Sequence, residues 1–226
     1  MPVKLSSLSM SLILCRSSTI ENVVKSVGCC LEDQVPILVY EFISNGTHCR
    51  PYPRSGKFAF NLIGENRLQI ATQIAEALVC LLSFASMPIF LRDVKSANIL
   101  LDNNPIAKVA DFGISRLVLI DHTHITTLVQ RTRGYLDPES FQTSRLTDKS
   151  DVHSFDVILV ELLTGEKAVC LNRSEEDRNL ATYFVHAMQE NCLFQMLEER
   201  VRSEASEERL MAIAQLAIRC LRFERR

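Results

Sequence analysis

The sequence lacks a charge excess of either sign: 25 Lys and Arg stand against 27 Asp and Glu, for a formal net charge of −2. That balance gives no global basic surface, so a nucleic-acid partner held through its phosphates is not expected. Also absent is any run approaching the roughly 18 consecutive apolar residues that a membrane-spanning helix needs, and no span is expected in this chain. The start, MPVKLSSLSMSLILCRSS, is mildly apolar, but it is serine-rich and has no clear small-x-small cleavage site, which argues against a signal peptide. The eight cysteines are scattered with no CxxC pair and no spacing that suggests a disulfide framework or a zinc site, so reduced thiols in a cytosolic protein are expected. Repeats and low-complexity tracts are missing too. What is present is the composition of a soluble globular chain, 47% hydrophobic and 23% charged over 226 residues, enough for one large domain or two small lobes.

Along the chain, ENVVKSVGCCLE and VPILVYEFI (35–43) are β-branched and aromatic enough for two strands, expected to form a hairpin around Glu32-Asp33-Gln34. SNGT (44–47) reads as a turn, and HCRPYPRSGK (48–57), with two prolines and a glycine, as a loop. Beyond that loop the chain reads as mostly helical. From Arg67 to Ala85, Leu68, Ala71, Ile74, Ala75, Leu78, Leu81 and Leu82 share one stripe, the spacing of a core-facing helix. A second helix is expected from about Ser150 to Leu163, stopped by Gly165. Further helices fit LATYFVHAMQEN and SEERLMAIAQLAIRCL. A small sheet-bearing piece therefore precedes a larger helical one, an α+β organisation.

The stretch LRDVKSANILLDNNPIAKVADFG (91–113) concentrates chemistry. Asp93, Lys95 and Asn98 lie within six residues, and Asp111 follows after the apolar run NILL, a turn at Asp102-Asn103-Asn104-Pro105 and a second short strand, AKVA. Two strands closing a hairpin bring Asn98 and Asp111 to the same end, where an amide oxygen and a carboxylate can both ligate Mg²⁺. Asp93 is then placed to accept a proton and Lys95 to neutralise a transferring phosphate. Asp and Asn are usual in turns, so one such residue alone would say little. The combination says more.

The pattern D-x-K-x-x-N followed by D-F-G resembles the protein-kinase signature. The resemblance continues through GCCLEDQVPILVYEFISNGT (28–47), TRGYLDPE (132–139) and DKSDVHSFDVILVELLTGEK (148–167), and in wording it is most similar to the plant receptor-like kinases of the wall-associated type. It implies a kinase-like fold with a nearly complete helical C-lobe over 44–226 and a partial N-lobe over 1–43 lacking its first strands. It also implies a serine/threonine kinase domain using ATP and Mg²⁺ on a protein substrate. By the same resemblance the domain is cytoplasmic, its relatives being plasma-membrane receptors. Asp93 corresponds to the catalytic-loop base and Lys95 to the catalytic-loop lysine, with Asn98 and Asp111 as metal ligands. Tyr40 guards the back of the adenine pocket, while the Glu41 carbonyl and the Ile43 amide offer adenine two hydrogen bonds. In the activation segment, 111–139, Thr123, Thr126 and Thr127 are phosphate acceptors with Arg92 as a partner for the product. Thr132 faces the substrate hydroxyl and, with Lys95, favours serine or threonine. Glu139 and Asp151 are the structural and regulatory acids.

The departures from that signature carry information as well. No G-x-G-x-x-G occurs and no V-A-I-K-type lysine precedes Met10; Lys4 lies too close to the helix remnant, and Ser11 stands at the glutamate position of the usual ion pair. Leu91 replaces the histidine of H-R-D, Arg131 a glycine before the substrate loop, and Asp156 a glycine within the second helix. On that apolar stripe an unpaired carboxylate costs several kcal/mol or must take a proton. Arg225 or Arg226 is the candidate partner for Glu139. These features favour impaired transfer, which leaves three readings: a weakened kinase, a pseudokinase that engages a partner kinase, and a fragment from an incomplete gene model. Elsewhere, His122-x-His124 is read as a surface loop because no third ligand lies near, and Cys29-Cys30 as buried strand thiols.

Overall fold

The structure is a computed structural model that describes residues 20–30, 37–44, 50–51, 58–59, 65–83, 89–91, 93–102, 104, 106–110, 116–117, 125–126, 132–143 and 145–221. Strands β1 (Ser26–Cys30) and β2 (Ile37–Tyr40) come first, then two-residue strands β3 (Arg50–Pro51) and β4 (Phe58–Ala59). The long helix α1 (Glu65–Leu82) leads to β5 (Ile89–Phe90), a 3-10 turn at Ser96–Asn98, β6 (Ile99–Leu101), β7 (Ala107–Val109), β8 (Arg116–Leu117) and β9 (Ile125–Thr126). The remainder is α2 (Pro138–Thr143), β10 (Arg145–Leu146), α3 (Asp148–Thr164), α4 (Leu180–Gln189), α5 (Leu193–Met196), α6 (Glu199–Glu204) and α7 (Glu207–Leu221).

The expected N-terminal hairpin is present: β1 and β2 pair antiparallel with Cys30 opposite Ile37 and Gly28 opposite Val39, and a bulge between Ser26 and Gly28. Its expected turn at 32–34 lies outside the described residues. Arg50–Pro51, inside the stretch read as a loop (48–57), pairs with Phe58–Ala59 just after it, so a two-rung ladder begins where prolines and glycine suggested none. Cys29 is half-buried and Cys30 exposed, which corrects the reading of both as buried thiols. A two-stranded ribbon covers only one of its faces, and Val27, Ile37 and Val39 are exposed as well.

The hairpin is not isolated from the helical body. Val23 forms a parallel bridge with Val109: the Val24 N–H donates to the Val109 carbonyl (2.9 Å) and the Val109 N–H to the Asn22 carbonyl (2.8 Å). The Asn22 side-chain amide adds a bond to the Ala107 carbonyl at 3.0 Å.

The core forms where α1 and α3 cross, because each presents an apolar stripe. Ile70, Ile74, Leu78 and Leu81 of α1 are buried with Val157, Ile158, Leu162 and Leu163 of α3, and Leu180 and Phe184 of α4 close one side. The helix α3 starts where the Thr147 N–H meets the Ser150 hydroxyl (3.1 Å). It stops at Gly165, whose φ of 69° is left-handed and whose N–H donates to the Glu161 carbonyl. α1 also aims at the next hairpin: the Gln73 side-chain oxygen accepts from the Ala107 N–H at 2.8 Å.

Candidate functional site

Hairpin β6–β7 carries the site. Asp102 closes it, its Oδ1 accepting the N–H groups of Asn104 (2.8 Å) and Ile106 (2.9 Å) in the manner of an Asx turn. Upstream, the buried Leu91 donates its N–H to Oδ2 of Asp151 at 2.7 Å, and Asp151 is fully buried on α3. The segment entering Asp93 is thereby pinned to the helical body across 60 residues of sequence. Leu91 needs no side-chain polarity for this, because the backbone supplies the donor.

After that anchor the chain folds back on itself. The Asn98 N–H donates to the Lys95 carbonyl, and the Asn98 side-chain nitrogen to the Asp93 carbonyl, each at 2.9 Å. Asp93, Lys95 and Thr132 then meet: Oδ2 of Asp93 pairs with the Lys95 ammonium, and Oδ1 accepts the Thr132 hydroxyl at 2.8 Å. The Lys95 ammonium also reaches the Thr132 Oγ1 at 3.1 Å. All three are partly buried, which raises the strength of each contact above its value in bulk water. The Ala110 N–H donates to the Asn98 carbonyl at 2.8 Å, leading the chain towards position 111.

A second line of contacts runs beneath. The Ser96 hydroxyl meets the Tyr135 hydroxyl at 2.7 Å, and the Tyr135 hydroxyl donates to Oε2 of Glu161 at 2.8 Å. Oε1 of Glu161 accepts the Ala168 N–H at 2.9 Å. Burial drives the Glu161 carboxyl up to about 7, against the opposing pull of the hydrogen bonds from Tyr135, Ala168 and Ser96. Gly134, beside Tyr135, has φ of 98°, and a Cβ there would lie 2.7 Å from Cγ2 of Val169, so only glycine fits.

At the other end, Tyr40 is partly buried against the core and Ile43 is buried. The Glu41 N–H donates to the Lys25 carbonyl (2.9 Å), while its carboxylate accepts the Lys25 N–H and the Lys108 ammonium, both at 2.9 Å. Burial tends to raise the Glu41 carboxyl. The Lys108 hydrogen bond, the Lys25 N–H and the charges of both lysines outweigh it, so the group lies below its ordinary range. Among the described residues, neither the Glu41 carbonyl nor the Ile43 N–H has a hydrogen-bond partner.

The structure therefore gathers Asp93, Lys95, Asn98 and Thr132, and fixes Asp151 beneath them. Arg92, Asp111, Thr123, Thr127, Arg131, the His122-x-His124 pair and Arg225 and Arg226 lie outside the described residues. Thr126 is in β9 opposite Arg145, and Glu139 is exposed in the first turn of α2. Sequence reasoning missed Ser96, Tyr135, Glu161 and Lys108. One signal was available: Glu161 interrupts the apolar run VILVELL, where an acid must be buried and therefore bonded.

A family profile described as protein tyrosine and serine/threonine kinase matches residues 4–226. Among curated proteins of Arabidopsis thaliana, "Wall-associated receptor kinase-like 5" is 51% identical over 219 residues, covering 96% of this chain and 30% of that protein. "Wall-associated receptor kinase 5" is 51% identical over 202 residues (89% and 27%), and "Wall-associated receptor kinase-like 1" is 53% identical over 201 residues (88% and 27%). The chain thus spans about 30% or less of the length of these relatives. With the profile running nearly from end to end over a helical body that holds Asp93, Lys95 and Thr132 together, the chain belongs to the protein tyrosine and serine/threonine kinase family.

Proposed function

We propose that the chain is the kinase domain, or most of it, of a receptor-like serine/threonine protein kinase of the wall-associated type, acting in the cytosol on a protein substrate or a partner kinase. The observation that carries this reading is the Asp93–Lys95–Thr132 triangle. Asp93 orients the incoming serine or threonine hydroxyl and takes its proton, Lys95 offers positive charge beside it, and Thr132 ties both to the loop that receives the substrate.

The residues present suit a nucleotide and a metal. Asn98 commits its side-chain nitrogen to the Asp93 carbonyl and keeps Oδ1, a hard oxygen of the kind Mg²⁺ takes, with the Asp111 carboxylate as its companion. The Glu41 carbonyl and Ile43 N–H serve adenine, with Tyr40 behind them. ATP with Mg²⁺ supplies the transferable phosphoryl group and the charge that neutralises it. Thr123, Thr126 and Thr127 are the acceptors for regulatory phosphorylation, with Arg92 the partner of the product. Glu139 and Asp151 are structural, and Ile43–Ser44 is the boundary between a small lobe and the helical one.

A second reading, a module that binds a partner kinase without catalysis, applies to the 226 residues taken by themselves, among which no G-x-G-x-x-G and no V-A-I-K-type lysine occurs. Loss of one preorganised donor typically costs about 10² to 10³ in rate. For the chain as it stands we expect MgATP binding weaker than about 100 μM, within the usual span of enzyme KM values, and slow transfer. The test is calorimetric titration with MgATP beside a transfer assay on a generic protein substrate, with the modified residues identified by mass spectrometry. Weak transfer restricted to serine and threonine and abolished by Asp93→Asn is expected. Transfer indifferent to that substitution, or restricted to tyrosine, overturns the first reading; nucleotide binding with no transfer supports the second.

A further inference from the structure

The adenine edge at 41–43 uses backbone groups only, and neither the Glu41 carboxylate nor Lys108 has a part in the phosphoryl chemistry described above. Yet the two are joined. Ile43 is buried, but Phe42 is 90% exposed, so burial does little to fix the backbone between Glu41 and Ile43. Glu41 is fixed through hydrogen bonds instead. Its N–H donates to the Lys25 carbonyl (2.9 Å), and Oε1 of its carboxylate accepts both the Lys25 N–H and the Lys108 ammonium, each at 2.9 Å. Amide and carboxylate together hold the Cα of Glu41, and the burial of Ile43 holds the other end, so the intervening carbonyl has little room to turn.

Lys108 gives that contact a firm foot. It sits in the middle of β7, opposite Leu100 of β6. On one side of it the Ala107 N–H donates to the Gln73 side chain of α1 at 2.8 Å, and on the other Val109 bonds Asn22 and Val24 through its backbone. The Lys108 side chain is only 11% exposed, against 27% for that of Glu41. A lysine loose in water loses much of an ion pair to its own rotamer freedom, and the enclosure of this stem has already removed that freedom.

We propose that Lys108 is a positioning residue for nucleobase selection, an inference that rests on the adenine reading of 41–43: acting through the Glu41 carboxylate, it holds the Glu41 carbonyl and the Ile43 N–H at the spacing that adenine fits. Adenine presents an amino donor beside a ring-nitrogen acceptor, which matches a carbonyl followed by an N–H. Guanine presents the reverse, a carbonyl acceptor beside a ring N–H, and meets like with like at both places. A fixed pair of backbone groups rejects guanine by leaving both of them unpaired, whereas a mobile segment can turn away from the mismatch.

Lys108→Met keeps the length of the stem and drops the ammonium. Two measurements on the 226-residue chain read the brace and the site separately. In amide exchange followed by NMR without nucleotide, the Lys25 and Glu41 amides of the variant are expected to exchange faster, with the Ala107 amide unchanged because β7 is intact. In displacement of trinitrophenyl-ATP, MgATP is expected to weaken roughly threefold to tenfold, the cost of fixing on binding a segment that is no longer fixed beforehand, with MgGTP little changed. Lys108→Arg, which retains the cation, is expected to restore most of the preference, and Glu41→Gln to lose no more when Lys108→Met is added. Unchanged exchange at Lys25 and Glu41, a wild-type preference for MgATP retained in Lys108→Met, or loss of Ala107 protection in step with the rest overturns the role of Lys108 and leaves the adenine reading standing. A wild-type chain that takes MgGTP as readily as MgATP overturns both, whatever the exchange shows.

Discussion

Tyr135→Phe removes one oxygen and leaves the ring in place. That oxygen joins three elements: it meets the Ser96 hydroxyl at 2.7 Å and donates to Oε2 of Glu161 at 2.8 Å, in a site where all three residues are buried. A buried neutral hydrogen bond contributes about 1 kcal/mol and one to a charged acceptor about 1.5–3 kcal/mol. Below the Glu161 value of about 7 both bonds count as neutral, and the variant is expected to lose about 1–2 kcal/mol. Above it the acceptor is ionised, and the loss is expected to reach about 2–4 kcal/mol. The sign follows from linkage: Glu161 has a folded value above its ordinary 4.5, so its ionisation erodes stability as pH rises from 4.5 to about 7. Tyr135 opposes that rise, and without it the folded value climbs further and the erosion continues to higher pH. Urea unfolding monitored by circular dichroism at pH 6 and pH 8, with the slope against urea unchanged between chains, measures both numbers. A loss below about 0.5 kcal/mol at pH 8, or one no larger at pH 8 than at pH 6, would refute the charge-assisted role of the hydroxyl.

Glu198→Ala strips the partner from Arg67, which is buried and donates to the Leu162 carbonyl; breaking such a pair costs about 3–5 kcal/mol, so differential scanning calorimetry should show Tm falling by at least about 6 °C. Gly134→Ala forces a side chain into a left-handed backbone against Val169 and Ala168, which costs at least about 1–2 kcal/mol from the conformation alone and should appear as a matching shift of the urea midpoint. Lys108→Met removes a pair that is partly exposed, so its stability cost should stay under about 1 kcal/mol, and shrink further in 1 M NaCl.

The long elements were legible because periodicity accumulates with length. The helix expected over Arg67–Ala85 is observed as Glu65–Leu82, and that expected over Ser150–Leu163 as Asp148–Thr164. The 99–101 and 107–109 hairpin was legible from its apolar runs and its Asp-Asn turn, which is why Asn98 could be placed at one end of it. Two-residue ladders such as Arg50–Pro51 with Phe58–Ala59 carry no period, and prolines there pointed the other way. Cys30 was misread because alternation shows which residues share a face, not whether anything covers that face. Pairings such as Leu91 with Asp151 or Arg67 with Glu198 depend on how distant segments cross, and nothing local in the sequence announces them. Asp156 was legible as a strained choice because an acid on an apolar stripe breaks the pattern, and the structure buries it with Oδ2 lacking a hydrogen-bond partner among the described residues.

The strand β7 is shared between two structures, and that makes it a joint. Its ladder with β6 belongs to the hairpin that carries Asn98, and its two backbone bonds at Val109 hold the N-terminal hairpin through Asn22 and Val24. Lys108, in the same strand, grips Glu41 from the side. A load applied to the β1–β2 ribbon has this short tether as a route to the Asn98 end of β6–β7, and a tilt about Asn22–Val24 is felt at both ends. A ligand that touches Glu41 or Ile43 on one side and Asn98 on the other would act as a splint across the joint, and by reciprocity whatever stiffens the joint tightens the grip on that ligand by the same factor.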